Sequence, residues 1–239
     1  MKKTMPLLFL LLSFAQLSFA NPTDIVRSND ILGIQLNISM DEAINKLKEK
    51  GFAVEINEGT VKPLEGIFPV EILAVRLNEK GSDTIKMELF LPPNKSNVAI
   101  IRRTVKYKKG TGPAIETLFN SIVSKYGPQT GRHQSTLVWA YDKNGKKLNG
   151  YCGPINPPSF LPTIYGTPLD KCSGVSMNLH LYRAGRENKN ITDKFIISIQ
   201  DNDLLRENYD RTYKMRISEQ EKIEAKRKSA LKSRSAPEL

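Results

Sequence analysis

The two cysteines of this chain, Cys152 and Cys172, are the residues whose chemistry is easiest to name. An isolated pair in an oxidising compartment is most simply a disulfide, and the C-x-x-C spacing of a redox-active pair is absent. Two cysteines are also too few for a four-cysteine zinc site. The bond would close the loop 152–172 and contribute roughly 3 kcal/mol by the chain-entropy argument. Between the cysteines lie Pro154, Pro157, Pro158, Pro162 and Pro168, with Phe160 and Tyr165 and almost no charge. Prolines restrict the unfolded loop and favour extended segments. Two readings stand: a crossover packed on a sheet, or a stapled loop presenting Phe160 and Tyr165 to a partner at low ordering cost.

A second feature is electrostatic. Lys95, Arg102, Arg103, Lys106, Lys108 and Lys109 fall in a stretch with no acidic residue from Lys95 through Gly110. In a strand, alternation sends Arg102, Lys106 and Lys108 to one face and Ile101, Val105 and Tyr107 to the other. Such a stripe suits an acidic protein, lipid phosphates or another polyanion. The plainer reading is a solvated edge strand whose lysines discourage edge-to-edge pairing.

Signals for catalysis are thin. The only histidines, His133 and His180, have no partner at metal-ligand spacing, and no G-x-S-x-G, H-E-x-x-H or phosphate-binding glycine loop occurs. Asp83, Glu88 and Asp142 are the carboxylates that could meet in space for a hydrolase. Trp139, the sole tryptophan, sits in an alternating segment with Leu137 and Tyr141. Its two readings are core and binding-face aromatic. The expectation is therefore a non-enzymatic protein without cofactor or metal.

These residues need a compartment and a scaffold. Met1-Lys2-Lys3, the apolar Leu7–Leu12, and Ser18-Phe19-Ala20 have the three-part layout of a secretory leader, with cleavage expected between Ala20 and Asn21. The apolar run is shorter than the ~20 residues that span a bilayer. The short basic start points to a bacterial periplasm. On a eukaryotic secretory route, the triplets beginning at Asn37, Asn94 and Asn190 would be glycosylation acceptors. The 239 residues carry 36 Lys+Arg against 25 Asp+Glu, a net charge of +11, and are 39% apolar. That composition excludes collagen, a wholly disordered chain and a multi-span membrane protein. Nucleic acid would be a natural partner for such a charge in the cytosol. After export it is set aside, and no membrane-crossing helix is expected beyond the leader.

The elements follow from periodicity. Ser39-Met40-Asp41-Glu42 predicts a capping box, and Met40, Ala43, Ile44 and Leu47 a one-sided helix ended at Gly51. Strands are expected over Phe52–Ile56, Phe68–Leu77, Thr84–Leu91 and Asn97–Lys108. Ile85, Met87, Leu89 and Leu91 share one face of the third. A second helix is expected from Pro113, carrying Ile115, Leu118, Phe119, Ile122 and Tyr126 and ending at Gly127-Pro128. Strands over Thr136–Tyr141, Val175–Tyr182 and Phe195–Ile199 come next, with a hairpin turn at Asn144-Gly145. A charged helix capped by Asp201 or Asn202 is expected to run to about Ala230 and to fray from Lys226.

Gly33 to Leu47 (GIQLNISMDEAINKL) resembles the opening of small exported modules of the type seen in the outer-membrane assembly lipoprotein BamE and, as a tandem pair, in the β-lactamase inhibitor protein. Leu118, Gly127-Pro128, Trp139 and Tyr141 follow the same plan in the second half. Asn37-Ile38 stands where that family usually has Gly-Met, and the lipoprotein cysteine is missing. The resemblance implies a scaffold used for binding proteins and carries over no functional residue.

The expected architecture is α+β, with helices on one face of antiparallel sheet. Its parts are a leader 1–20, a first module 21–110, a second module 111–202 holding the loop 152–172, and a charged helix and tail 203–239. The expected function is an exported protein-binding module, inhibitor or immunity-like, engaging an envelope protein through Arg102, Lys106, Lys108, Phe160 and Tyr165. The alternatives are an envelope hydrolase acting on cell wall or carbohydrate, and an adaptor for anionic envelope surfaces.

Overall fold

The computed structural model describes residues 30–60, 62–133, 136–142, 144–148, 173–185 and 188–232. Within them the chain is α+β. Eight strands form one antiparallel sheet in the order β1-β2-β3-β4-β8-β7-β6-β5, accompanied by three helices. The elements in chain order are α1 (Met40–Glu49), β1 (Ala53–Gly59), β2 (Phe68–Asn78), β3 (Gly81–Leu89), β4 (Val98–Tyr107), α2 (Ile115–Tyr126), β5 (Gly131–His133), β6 (Thr136–Tyr141), β7 (Val175–Ala184), β8 (Asn188–Asp201) and α3 (Asn202–Lys232). Each of the first two helices thus precedes four consecutive strands. The two sets of strands meet where β4 pairs with β8, from Ile100 opposite Gln200 to Lys106 opposite Lys194.

Local chemistry explains where elements start and stop. The Ser39 hydroxyl accepts the Glu42 N–H at 3.2 Å, which caps α1. The reciprocal half of the expected capping box is not formed, because Glu42 turns instead to Lys46 one turn on, at 2.8 Å. The helix ends in a Schellman motif. The Phe52 N–H reaches Leu47 O and the Gly51 N–H reaches Lys48 O, with Gly51 at φ 76° where a side chain would be strained. Pro113 lies just outside α2 rather than in its first turn, and the cap position, Ala114, offers no side-chain bond. The β2–β3 turn depends on Gly81: at φ 153°, an added Cβ would stand 1.9 Å from the Lys106 carbonyl oxygen.

One face of the sheet carries the core. Ile72, Ile85, Met87, Ile101, Trp139, Met177, Leu179, Ile197 and Ile199 are buried in one apolar cluster with Ala43 and Leu47 of α1 and Tyr126 of α2. Leu118, Phe119, Ile122 and Val123 of α2 pack against the same cluster. The alternation predicted for β3 holds, with Ile85, Met87 and Leu89 buried in phase; in β7 the run Val175–Leu179 is buried throughout, Ser176 and Asn178 included. Trp139 is fully buried and donates its indole N–H to Gly127 O at 2.9 Å, so it is a core residue that also ties the end of α2 to β6.

Two strands differ from what periodicity shows. Gly131–His133 forms the short strand β5, too brief to show alternation. β8 is 14 residues long and starts well before Phe195. The last helix runs to Lys232, close to the expected end at about Ala230. Its 31 residues reach about 46 Å. Leu204 and Leu205 pack with Phe90, Ala99 and Ile100. Asn94 then bonds Asn208 O and Thr212 Oγ1, which lays the helix along the sheet end where β3 turns into β4. No described helix is long and apolar enough to cross a membrane.

Candidate functional site: the polar face of the sheet

Alternation leaves the residues between the core positions on the opposite face. There the registers line up polar side chains in rows running across strands from both halves of the chain. One row places Lys86 opposite Arg102, Arg102 opposite Ser198, and Ser198 opposite Asn178. A neighbouring row places Glu71 opposite Glu88, then Ile100, Gln200 and Ser176. On the other side of the first row come Thr84, Thr104, Ile196, His180 and Thr136, and beyond them Ser82, Lys106, Lys194 and Tyr182.

The charges on this face are organised. Glu71 is buried and is held by Lys86 at 2.5 Å and by the Asn57 amide at 3.1 Å. Burial pushes the Glu88 carboxyl above the ordinary value for glutamate. Lys86 and Arg102 pull against that rise, and the neighbouring Glu71 adds to it. At the other end of the face, the Lys194 ammonium sits 3.7 Å from the centre of the Tyr182 ring. Tyr182 lies 4.3 Å from His180, whose Nδ1 is 2.9 Å from Thr136 Oγ1. Burial, aided by Lys194, lowers the His180 pKa and favours the neutral ring. Asn178 is buried, and neither its amide nitrogen nor its amide oxygen is bonded by a described residue.

The structure sorts the sequence-derived candidates. Arg102 and Lys106 lie together on the polar face as alternation requires. Lys108 falls beyond the end of β4, exposed, with its backbone N–H bonded to Lys80 O at 2.8 Å, so it borders the stripe rather than extending it. The edge-strand reading of this stripe does not hold, since β4 sits between β3 and β8 in the middle of the sheet. Cys152, Cys172, Phe160 and Tyr165 lie outside the described residues. The three carboxylates considered for hydrolysis do not converge. Asp83 is in the buried phase of β3 and Glu88 in the other. Asp142 is occupied by the N–H groups of Asn144 and Lys146. Among the described residues, no group of three or more His, Cys, Asp or Glu could hold a metal ion.

Sequence reasoning missed two arrangements. Lys194 joins the basic stripe from a strand 88 positions away from Lys106, and only the β4–β8 pairing brings them together. The other is on the core face, where Asp83 receives Arg103 Nε and Nη2 at 2.9 Å each and Arg76 Nη2 at 3.0 Å. Arg76 also donates to Lys50 O at the end of α1 and lies 4.5 Å from the Phe52 ring. A signal for this lock exists: Asp83 is in phase with Ile85 and Met87, and Arg103 with Ile101 and Val105. Each is a charge in an apolar register that needs a partner.

The chain matches no known protein family, no curated protein and no solved structure. The functional reading therefore rests on the geometry of the sheet.

Proposed function

We propose that this is an exported, non-enzymatic protein-binding module whose interface is the polar face of the eight-stranded sheet. One observation carries the reading. While one face is spent on the core, the other carries hydrogen-bonding and charged groups from both halves of the chain, meeting at β4–β8; Ser176, Asn178, Ser198 and Gln200 are buried there, and the accessible part is formed by Arg102, Thr104 and Lys106 of β4 with Lys194 and Tyr182. Strands fixed in a large sheet hold such groups in place before a partner arrives, which lowers the ordering cost of association. Mixed charge of this kind favours specificity and orientation over bulk affinity.

The proposal includes the finer architecture. The repeated order of a helix followed by four strands supports two tandem modules, 21–110 and 111–202, with α1 and α2 both on the core face. The leader 1–20 is removed, and Cys152 pairs with Cys172 after export. The carboxylates named for hydrolysis point to different places, which favours binding over that alternative.

The test replaces Thr104, at the middle of the polar face, with photoreactive benzoylphenylalanine in the whole chain. A control carries the same group at Ser124, exposed on α2. In envelope extracts, a discrete, saturable adduct from position 104 and none from 124 is expected. No adduct from 104, or the same adducts from both positions, overturns the reading.

A further inference from the structure

We propose that Lys106 and Lys194 form the seat for an acidic segment of the protein partner, two carboxylates meeting two ammonium groups. The inference rests on the polar face being the interface, and it specifies what that interface selects.

The two lysines are directly opposite across β4 and β8. Like charges in that position repel and lower the stability of the free sheet. Neither has a carboxylate within ion-pair distance among the described residues. Both are accessible, Lys106 exposed and Lys194 half-buried. Lys194 is also positioned, because its ammonium rests against the Tyr182 ring at 3.7 Å. A long flexible side chain held in this way loses less freedom when an anion docks. The pair is thus an unbalanced charge, partly organised, at one end of a rigid surface.

The rest of the face indicates what kind of anion fits. One end of the face holds Glu55, Glu71 and Glu88 with Lys86 and Arg102, three acids against two bases. Lys106 and Lys194 lie at the other end, in a row that holds no carboxylate among the described residues. Six residues of β3 separate the Lys106 row, at Ser82, from Glu88, a distance of about 20 Å. A lipid surface or a nucleic acid is negative over that whole span and would lie against Glu71 and Glu88 as well as the lysines. A protein segment can place its acids at one end only. Charge complementarity therefore favours an acidic protein segment over a phosphate polyanion.

The experiment titrates the 15N-labelled whole chain with three probes: hexaglutamate, phosphatidylglycerol vesicles and single-stranded DNA. The expected result is hexaglutamate-dependent shifts of the Lys106, Lys194 and Tyr182 amides. K106Q/K194Q should weaken binding at least tenfold, while K48Q/K50Q, which removes the same net charge from exposed positions at the end of α1, should weaken it less than twofold. K106R/K194R should retain binding, and this guards against a folding defect in the glutamine variant. Equal losses in the two glutamine variants would overturn the proposal. So would tighter binding of vesicles or DNA through the same two lysines, or an absence of hexaglutamate shifts. If those shifts are absent while cross-linking from position 104 persists, the acidic seat falls and the polar-face reading survives. If the cross-link is also absent, both fall.

Discussion

Replacing Asp83 by asparagine should be among the most damaging single changes in this protein. Asp83 is 2% exposed, and its carboxylate accepts three charge-assisted hydrogen bonds, two from Arg103 and one from Arg76. Asparagine keeps the shape and one acceptor oxygen but removes the charge. Breaking a buried pair from one side costs about 3–5 kcal/mol, because the other charge is left behind uncompensated. The Arg103 side chain is 23% exposed and that of Arg76 36%, so water offsets part of the loss and the lower end, about 3 kcal/mol, applies. Set against the 5–15 kcal/mol typical of a whole domain, that is a large fraction. Urea unfolding followed by Trp139 fluorescence should show the midpoint falling by about 1 M or more at unchanged slope, for slopes of about 1–3 kcal/mol per molar. D83L/R103M, which removes the carboxylate together with its two-bond partner and leaves only the more exposed Arg76 to water, should recover much of the loss. A midpoint shift of a few tenths molar in D83N, or a double variant worse than the single, would refute the reasoning.

Other consequences are as direct. Glu88→Gln should raise the melting temperature at pH 7. Burial lifts the folded-state pKa of Glu88 above the ordinary glutamate value of 4.5, so the native state binds this proton more tightly than the unfolded chain does. Stability tied to Glu88 is then full below about pH 4.5 and is lost as pH rises through the raised folded value, so the advantage of the glutamine should vanish in melts near pH 4. Trp139→Phe removes the indole bond to Gly127 O and leaves a void in the core, and calorimetry should register a loss of about 2–3 kcal/mol. Protein recovered from its native source should begin at Asn21 and show no free thiol until reduced. Reduction should lower stability by roughly 3 kcal/mol, and a chain starting at Met1 with two titratable thiols would contradict the proposed export.

Local signals were readable wherever a few adjacent residues decide the outcome. Ser39, Ala43, Leu47 and Gly51 mark the start, inner face and end of α1 within thirteen positions, and the alternation around Met87 and Met177 marks two buried strands. β5 was invisible because Gly131-Arg132-His133 has no apolar period at all. The first half of β8 was missed because Asn188–Lys194 is polar and is ordered by its neighbours rather than by its own pattern. The pairing of β4 with β8 could not be read, since nothing in two separate segments states their register. That pairing moved the basic stripe from a supposed edge to the centre of the sheet and supplied Lys194. Half of the candidate site was therefore legible as Arg102 and Lys106, and the other half exists only in the fold.

The central claim is that a partner protein lands on the polar face across the β4–β8 junction. The most direct measurement is an amide chemical-shift map of the whole chain titrated with the protein captured by cross-linking from position 104. The account predicts that shifts concentrate at Arg102–Lys106 on β4 and Lys194–Ser198 on β8, with α1 and α2 unmoved. Shifts confined to α1 and α2, with those two strands silent, would contradict it.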